Sequence, residues 1–116
     1  MNKSVIIVGG GGHASVLIEI LRLINSDIIG IVDPFLKKGI KVNDITVIGS
    51  DDAVLDFSNS EVVLVNALGP LPNKISTRED LSTKFTNLGY RFLTLIHPQA
   101  YVSPSAKVEE GAQIMA

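Results

Sequence analysis

The sequence contains no cysteine, and this absence excludes several kinds of chemistry. Among its 116 residues there is no thiol to form a disulfide, attack a substrate or bind a metal. Aromatic residues make up only 5% of the chain, and no basic run stands out. The net charge is −2, from ten basic and twelve acidic side chains, so nucleic acid is a poor candidate partner.

The sequence also lacks a long apolar segment. The stretch Val5–Val8 ends where four glycines begin, and the next apolar segment carries Glu19 and Arg22. A membrane span needs about 20 apolar residues, and a signal peptide needs a longer apolar region with a cleavage site of small residues. We therefore expect a cytoplasmic protein with no membrane partner.

The apolar residues that are present suffice for one folded domain. The chain is 46% hydrophobic and 19% charged, and it is too short for two ordinary domains. Short apolar segments alternate with helical ones, which predicts an α/β fold, a Rossmann-like parallel sheet with flanking helices. The predicted strands are Ser4–Val8, Ile28–Val32, Ile45–Ile48, Glu61–Val65 and Arg91–Ile96.

The predicted helices differ in how much of their surface is apolar. His13–Ile24 has apolar residues around most of its circumference, so we expect it to be largely buried. Asn73–Leu88 is amphipathic, and Gly89 follows it where a left-handed C-cap is favoured. A brief capped helix is predicted within residues 50–57, and residues 37–43 are predicted to be a polar connection.

The pattern changes after His97, where an interval of six residues begins. A small residue stands two places before an aliphatic one in Ala100-x-Val102, Ala106-x-Val108 and Ala112-x-Ile114. This period indicates a left-handed parallel β-helix, in which three hexads form one coil. One coil cannot bury its own faces, so we expect an N-terminal piece of a longer protein. Residues 1–96 would be the α/β domain and residues 97–116 the start of the β-helix; an ordinary tail with a chance period is the alternative.

A glycine-rich turn joins the first predicted strand to the first predicted helix. Its residues, Gly9, Gly10, Gly11, Gly12, His13 and Ala14, fit the pattern G-x-G-x-x-G/A. Backbone amides at the start of a helix have no partner within the helix, and the helix dipole favours an anion there. Glycines let a phosphate approach these amides closely, which predicts a phosphate site. A tight turn without a ligand is the alternative.

Further polar residues follow the other predicted strands. Asp33 ends the second strand at about the spacing where a dinucleotide fold places an acid on a ribose hydroxyl, although it could also be a turn former. Asn66 and Gly69 follow a later strand and are either ligand contacts or loop residues. The carboxyl ends of parallel strands meet at one edge, so these residues should lie together. His13 would face the ligand as a neutral group, and His97 is interpreted as structural.

Two segments resemble those of a known family. VGGGGHASVLIEIL near the start and IHPQAYVSPSAKVEEGAQI at the end are similar to sugar acyltransferases of the NeuD/PglD type. That family includes sialic acid O-acetyltransferases and N-acetyltransferases of nucleotide-linked amino sugars. The end segment is the more specific one, because HPxAxVSPxAxVxxG marks the entry to the β-helix in this family. The resemblance covers this whole chain but only the front of such a protein, and Pro34 stands where many relatives have a second acid.

The resemblance implies a division of roles. The α/β domain would bind a nucleotide-sugar, such as a UDP-amino sugar, through the four glycines with His13, through Asp33, and through Asn66 and Gly69. The β-helix, assembled as a homotrimer, would bind acetyl-CoA between subunits and supply the catalytic histidine. That histidine would lie beyond Ala116, so this chain is expected to hold no catalytic residue and no metal.

Two other functions remain open from the sequence. An NAD(P)-binding module accounts for the glycine turn and Asp33, but it gives no reason for the terminal hexads. A non-catalytic nucleotide-sensing domain is the third hypothesis.

Overall fold

Five strands form the central sheet of the computed structural model, which describes residues 3–67, 75–100, 102 and 111–114. In chain order the strands are β1 (Ser4–Val8), β2 (Ile28–Val32), β3 (Lys41–Val42), β4 (Ile45–Gly49) and β5 (Val62–Asn66). Their spatial order is β3-β4-β2-β1-β5. β1 pairs in parallel with β2 and β5, and β2 pairs in parallel with β4. The predicted α/β sheet is therefore confirmed.

Helices cover both faces of the sheet, so its central strand is buried on both sides. On one face, Ile7 belongs to a cluster that includes Leu17 and Leu21 of α1 (Gly12–Leu23). On the other face, Ile6 belongs to a cluster that includes Phe85 of α2 (Ile75–Asn87). Neighbouring residues of a strand point to opposite faces, which explains why β1 is apolar throughout.

The structure corrects three predictions about local structure. The segment 37–43, predicted as a connection, contains β3, which pairs antiparallel with β4. Helix α1 is not buried around most of its surface, because Val16 and Leu23 are 46% and 53% exposed. The strand predicted over 91–96 is reduced to Leu95–Ile96, with an isolated bridge at Phe92, because this segment reaches the sheet edge at one point only.

The segment that follows the sheet pairs with residues far along the chain. β6 (Leu95–Ile96) lies parallel to β7 (Gln113–Ile114), with Leu95 opposite Gln113 eighteen residues later. Eighteen residues are three hexads, so this pairing has the length of one predicted coil. Most of the hexads lie outside the described residues. His97 follows β6 and its Nδ1 accepts a hydrogen bond from the Gln99 amide at 3.0 Å, a contact within the turn that agrees with a structural role.

Gly30, in the middle of β2, provides a test of how closely the strands pack. A Cβ at this position would lie 2.6 Å from Ile48 Cγ2 and 3.0 Å from the carbonyl oxygen of Thr46. Because β4 leaves so little room, Gly30→Ala is expected to lower the free energy of unfolding by about 1–3 kcal/mol, measured by urea denaturation. Adding Ile48→Ala should relieve part of that loss. If the losses of unfolding free energy in the two single variants simply add in the double variant, the proposed crowding between Gly30 and Ile48 is contradicted.

Candidate functional site

The carboxyl edge of the sheet brings together most of the polar residues predicted from the sequence. Gly9 follows β1, and its amide donates to the carbonyl oxygen of Val32 at the end of β2 at 2.8 Å. The Ala67 amide donates to the carbonyl oxygen of Val8 at 2.8 Å, which places the end of β5 beside the same turn. Asn66 is the last residue of β5 and is buried. Gly69 lies outside the described residues.

The first three glycines of the turn are required for different reasons. Gly9 has a φ of 105°, which side chains disfavour. A Cβ on Gly10 would lie 2.5 Å from Leu36 Cδ1, so close packing explains that glycine. Gly11 has a φ of −78°, and no described residue lies within 4 Å of the position that its Cβ would occupy. Neither its backbone angle nor packing against the described residues requires glycine at position 11, so the position is open to a ligand.

The same turn presents backbone amides that have no partner among the described residues. The Gly10 amide is bonded to Asp33, and the Ala14 amide donates to the Gly11 carbonyl oxygen at 3.0 Å. Between them, the amides of Gly11 and His13 have no acceptor among the described residues. These donors stand at the positive end of α1, as the sequence predicts. The arrangement can donate hydrogen bonds to an anionic group such as a phosphate.

Asp33 shapes this turn through its own carboxylate. Its Oδ2 accepts from the Gly10 amide and its Oδ1 accepts from the Phe35 amide, both at 2.8 Å. The residue is buried, at 8% exposure. The second contact is the side-chain turn predicted from the position ahead of Pro34, and the first is a link between two strand ends. Each of these oxygens can accept a second hydrogen bond, so a ribose contact at Asp33 stays a prediction.

His13 is connected to the segment that contains β7. The His13 Nε2 lies 3.2 Å from Gln113 Oε1, and Gln113 Nε2 donates to the Asn66 carbonyl oxygen at 2.8 Å. A carbonyl oxygen only accepts, so the amide nitrogen of Gln113 must face Asn66 and its oxygen must face His13. The sequence analysis missed Gln113, and its place between Ala112 and Ile114 of the last hexad was the available signal.

An open cavity of about 340 Å³ lies beside Asp33, on the α2 side of this edge. Its lining includes Asp33, Phe35, Asp51, Asp80, Leu81 and Lys84, and we call it the Phe35 cavity. Asp51 belongs to the brief helix predicted within residues 50–57, but it also follows the carboxyl end of β4 and therefore reaches the same edge as Asp33. Its Oδ1 is shielded from solvent and has no hydrogen-bond partner in the described part of the chain.

The surroundings of Asp51 change its acidity. Burial raises the pKa of this carboxyl above its ordinary value, because desolvation penalises the charged form. The Lys84 ammonium acts in the opposite direction, and the charges of Asp33 and Asp52 add to the increase. The Asp51 carboxylate is therefore partly desolvated, and the positive charge of Lys84 offsets only part of the resulting penalty on its ionised form.

Two classes of site receive no support from the described residues. No group of three or more histidine, cysteine, aspartate or glutamate side chains among them could hold a metal ion. Within the same residues, no helix is both long enough and apolar enough to cross a membrane.

The orientation of Gln113 predicts the tautomer of His13. Because Gln113 presents an acceptor, neutral His13 should carry its proton on Nε2. The ¹⁵N chemical shifts of the imidazole ring measure this directly. Gln113→Leu removes the acceptor without adding a charge, and the preference for the Nε2 proton should then weaken. A ring protonated on Nδ1 in the unsubstituted chain would contradict this hydrogen-bond assignment.

Asp51→Asn tests the desolvation of that carboxylate. Because the pKa is higher in the folded chain than in the unfolded chain, the ionised carboxylate destabilises the fold at neutral pH. This penalty disappears as the pH falls through the folded-state pKa. Asp51→Asn should therefore raise the melting temperature at neutral pH and lose that advantage in acid, as followed by thermal unfolding over a pH series.

The matched control is Asp52→Asn, which removes one negative charge from the exposed neighbouring side chain. A melting-temperature difference between the unsubstituted chain and Asp51→Asn that stays constant with pH would show that Asp51 is not desolvated as described.

Comparison with known proteins identifies relatives of this fold and site. The sequence model of the PglD N-terminal domain family matches residues 4–85. UDP-N-acetylbacillosamine N-acetyltransferase of Bacillus subtilis (strain 168) is 32% identical over 116 residues, which are 98% of this chain and 52% of that protein.

Solved structures of acetyltransferases superpose on the chain. A variant of perosamine N-acetyltransferase from Caulobacter crescentus, in complex with CoA and GDP-perosamine, has a TM-score of 0.83 at 35% identity and covers 100% of this chain. The acetyltransferase domain of PglB from Neisseria gonorrhoeae, in complex with acetyl coenzyme A, has a TM-score of 0.81 at 30% identity and also covers 100% of this chain. This chain spans 53% and 54% of those two chains, about half their length. The matching fold and the family model over residues 4–85 confirm the resemblance of the sequence, and the chain belongs to the PglD N-terminal domain family.

Proposed function

We propose that this chain is the nucleotide-sugar-binding part of an acetyl-CoA-dependent acetyltransferase that acts on an amino group of a nucleotide-linked sugar. The observation that carries the proposal is the pair of backbone amides at Gly11 and His13, which have no acceptor among the described residues. A diphosphate is the anionic group common to nucleotide-sugars, and a helix N-terminus with glycines is suited to it.

The relatives support the choice of substrate class. The Bacillus subtilis relative is named for acetyl transfer to a UDP-linked sugar, and the Caulobacter crescentus structure contains GDP-perosamine. Both names describe N-acetyl transfer, so we propose an amino sugar as the acceptor, in preference to the sialic acid hydroxyl that the family also allows. The two relatives differ in their nucleotide base, so a UDP-amino sugar remains one of two candidates.

Within this proposal the strand ends have separate tasks. The diphosphate lies on the amides of the glycine turn, between the Phe35 cavity on the β2 and β4 side and His13 on the β5 side. The His13 Nδ1 forms no hydrogen bond with the described residues, so it is available to a polar group of the sugar. Asn66 and Gln113 fix the His13 ring, and Asp33 fixes the turn.

The chemical step belongs to another part of the enzyme in this proposal. We place acetyl-CoA and the catalytic histidine in a β-helix that begins with the segment containing β7 and continues after Ala116. The eighteen-residue separation of Leu95 and Gln113 supports such a coil. Assembly as a homotrimer belongs to the same proposal. So does a cytoplasmic location, because nucleotide-sugars and acetyl-CoA are both cytoplasmic metabolites.

The NAD(P)-binding alternative accounts for fewer of the observations. It explains the glycine turn, but it assigns no role to the β6–β7 pair or to the contact between His13 and Gln113.

Two substitutions of Gly11 test whether an anion binds at the turn. Gly11 is the N-cap of α1, and both aspartate and asparagine are favourable there, so both variants should keep the fold. They have nearly the same shape and differ in charge. If a diphosphate lies on these amides, Gly11→Asp should bind a nucleoside diphosphate at least about tenfold more weakly than Gly11→Asn, measured by calorimetry.

Thermal unfolding of both Gly11 variants provides the control for folding. Equal affinities in two folded variants would exclude the glycine turn as the phosphate site.

A further inference from the structure

The Phe35 cavity has the position expected of a nucleobase site. Asp33 lines this cavity and also accepts the Gly10 amide hydrogen bond, so the cavity begins directly beside the glycine turn. A nucleotide whose diphosphate lies on the turn has one end that can enter the cavity. The opposite end then points towards His13 and Gln113, near the proposed β-helix.

The charge of the cavity decides which end of the nucleotide-sugar enters it. Its lining carries three carboxylates, from Asp33, Asp51 and Asp80, against the single ammonium of Lys84. Such a lining repels a phosphate, whereas an uncharged base with N–H donors suits it. The turn, in contrast, offers uncharged N–H donors and no carboxylate without a partner, so it suits the diphosphate.

Phe35 supplies an aromatic surface at the mouth of the cavity. Its side chain is 87% exposed, although it is one of only four phenylalanines in the chain. Its backbone is held in place by the hydrogen bond from its amide to Asp33 Oδ1. Every nucleobase has a π-face that can stack on such a ring, so Phe35 favours a base without choosing among bases.

Asp51 is the side chain in this cavity that can discriminate between bases. Its carboxylate lines the cavity, and an ionised carboxylate only accepts. Its Oδ1, which is shielded from solvent without a hydrogen-bond partner among the described residues, reaches a ligand only after the side chain rotates. The Watson–Crick edge of guanine presents two adjacent donors, N1–H and N2–H, which a carboxylate accepts with both oxygens. The same edge of uracil presents one N–H between two carbonyl oxygens, and those oxygens would face the carboxylate.

We propose that the Phe35 cavity binds the base of the nucleotide-sugar and that Asp51 selects guanine over uracil. This inference rests on the proposed function and names the nucleotide that the site takes. A donor pair from guanine satisfies both oxygens of an Asp51 carboxylate turned towards the cavity, whereas uracil places acceptors against it.

Calorimetric titration of the 116-residue chain with GDP, IDP and UDP tests the inference. GDP should bind about ten- to a hundredfold more tightly than UDP. IDP lacks the exocyclic N2 amine but keeps N1–H, so its affinity should lie between the two.

Three variants separate the roles of the side chains. Asp51→Asn should reduce the preference for GDP over UDP to within about threefold, since the amide offers one donor and one acceptor. Asp52→Asn removes the same charge from the neighbouring exposed position and should keep the preference. Phe35→Ala should weaken GDP and UDP by similar factors, because stacking does not depend on the donor pattern.

The outcomes distinguish this inference from the proposed function. UDP binding as tightly as GDP, or a GDP preference that persists in Asp51→Asn, would overturn the role of Asp51 and leave the nucleotide-sugar proposal intact. If the folded chain binds none of the three nucleoside diphosphates, the proposed function fails, and the assignment of the base fails with it.

Discussion

The buried carboxylate of Asp33 holds the carboxyl edge of the sheet in its shape. One oxygen accepts the amide of Gly10 and the other accepts the amide of Phe35, so a single side chain joins the end of β2 to the turn after β1. Loss of either acceptor would leave a partly buried backbone amide without this partner and would loosen the turn. Because Asp33 occupies the Gly10 amide, the donors that have no partner among the described residues begin at Gly11, where no described residue would contact a Cβ.

The strand order places acidic, uncharged amide and imidazole groups at successive positions along this edge of the sheet. β4 and β2 end in carboxylates and an exposed aromatic ring, β1 ends in uncharged amides, and β5 ends beside His13 and Gln113. In the proposed function a nucleotide-sugar lies across these strand ends, with its base, diphosphate and sugar each beside groups of suitable polarity. The contact between His13 and Gln113 also joins the turn to the segment from which the β-helix would start, so it connects recognition of the sugar to the region of the chemistry.

The sequence predicted those parts of the structure that depend on local patterns. β1 and β2 have the predicted bounds because an apolar, β-branched run is typical of a strand buried on both faces. The antiparallel β3 was missed, although Asn43 and Asp44 take positive φ angles in the turn that joins β3 to β4, which is typical of a tight hairpin. The contact between His13 and Gln113 spans a hundred residues and depends on how the β7 segment packs, which no local pattern records. Asp51, in contrast, could have been assigned to this edge from the sequence, because it follows the predicted strand Ile45–Ile48.

Hydrogen exchange of the turn amides tests most directly whether the glycine turn exists to hold a diphosphate. In the free chain, the amides of Gly11 and His13 should exchange rapidly, while the Gly10 amide is protected by Asp33. Addition of a nucleoside diphosphate at a concentration well above its dissociation constant should slow exchange at those two amides and leave Gly10 protected as before. Unchanged exchange at Gly11 and His13 in the presence of bound nucleotide would contradict this account of the site.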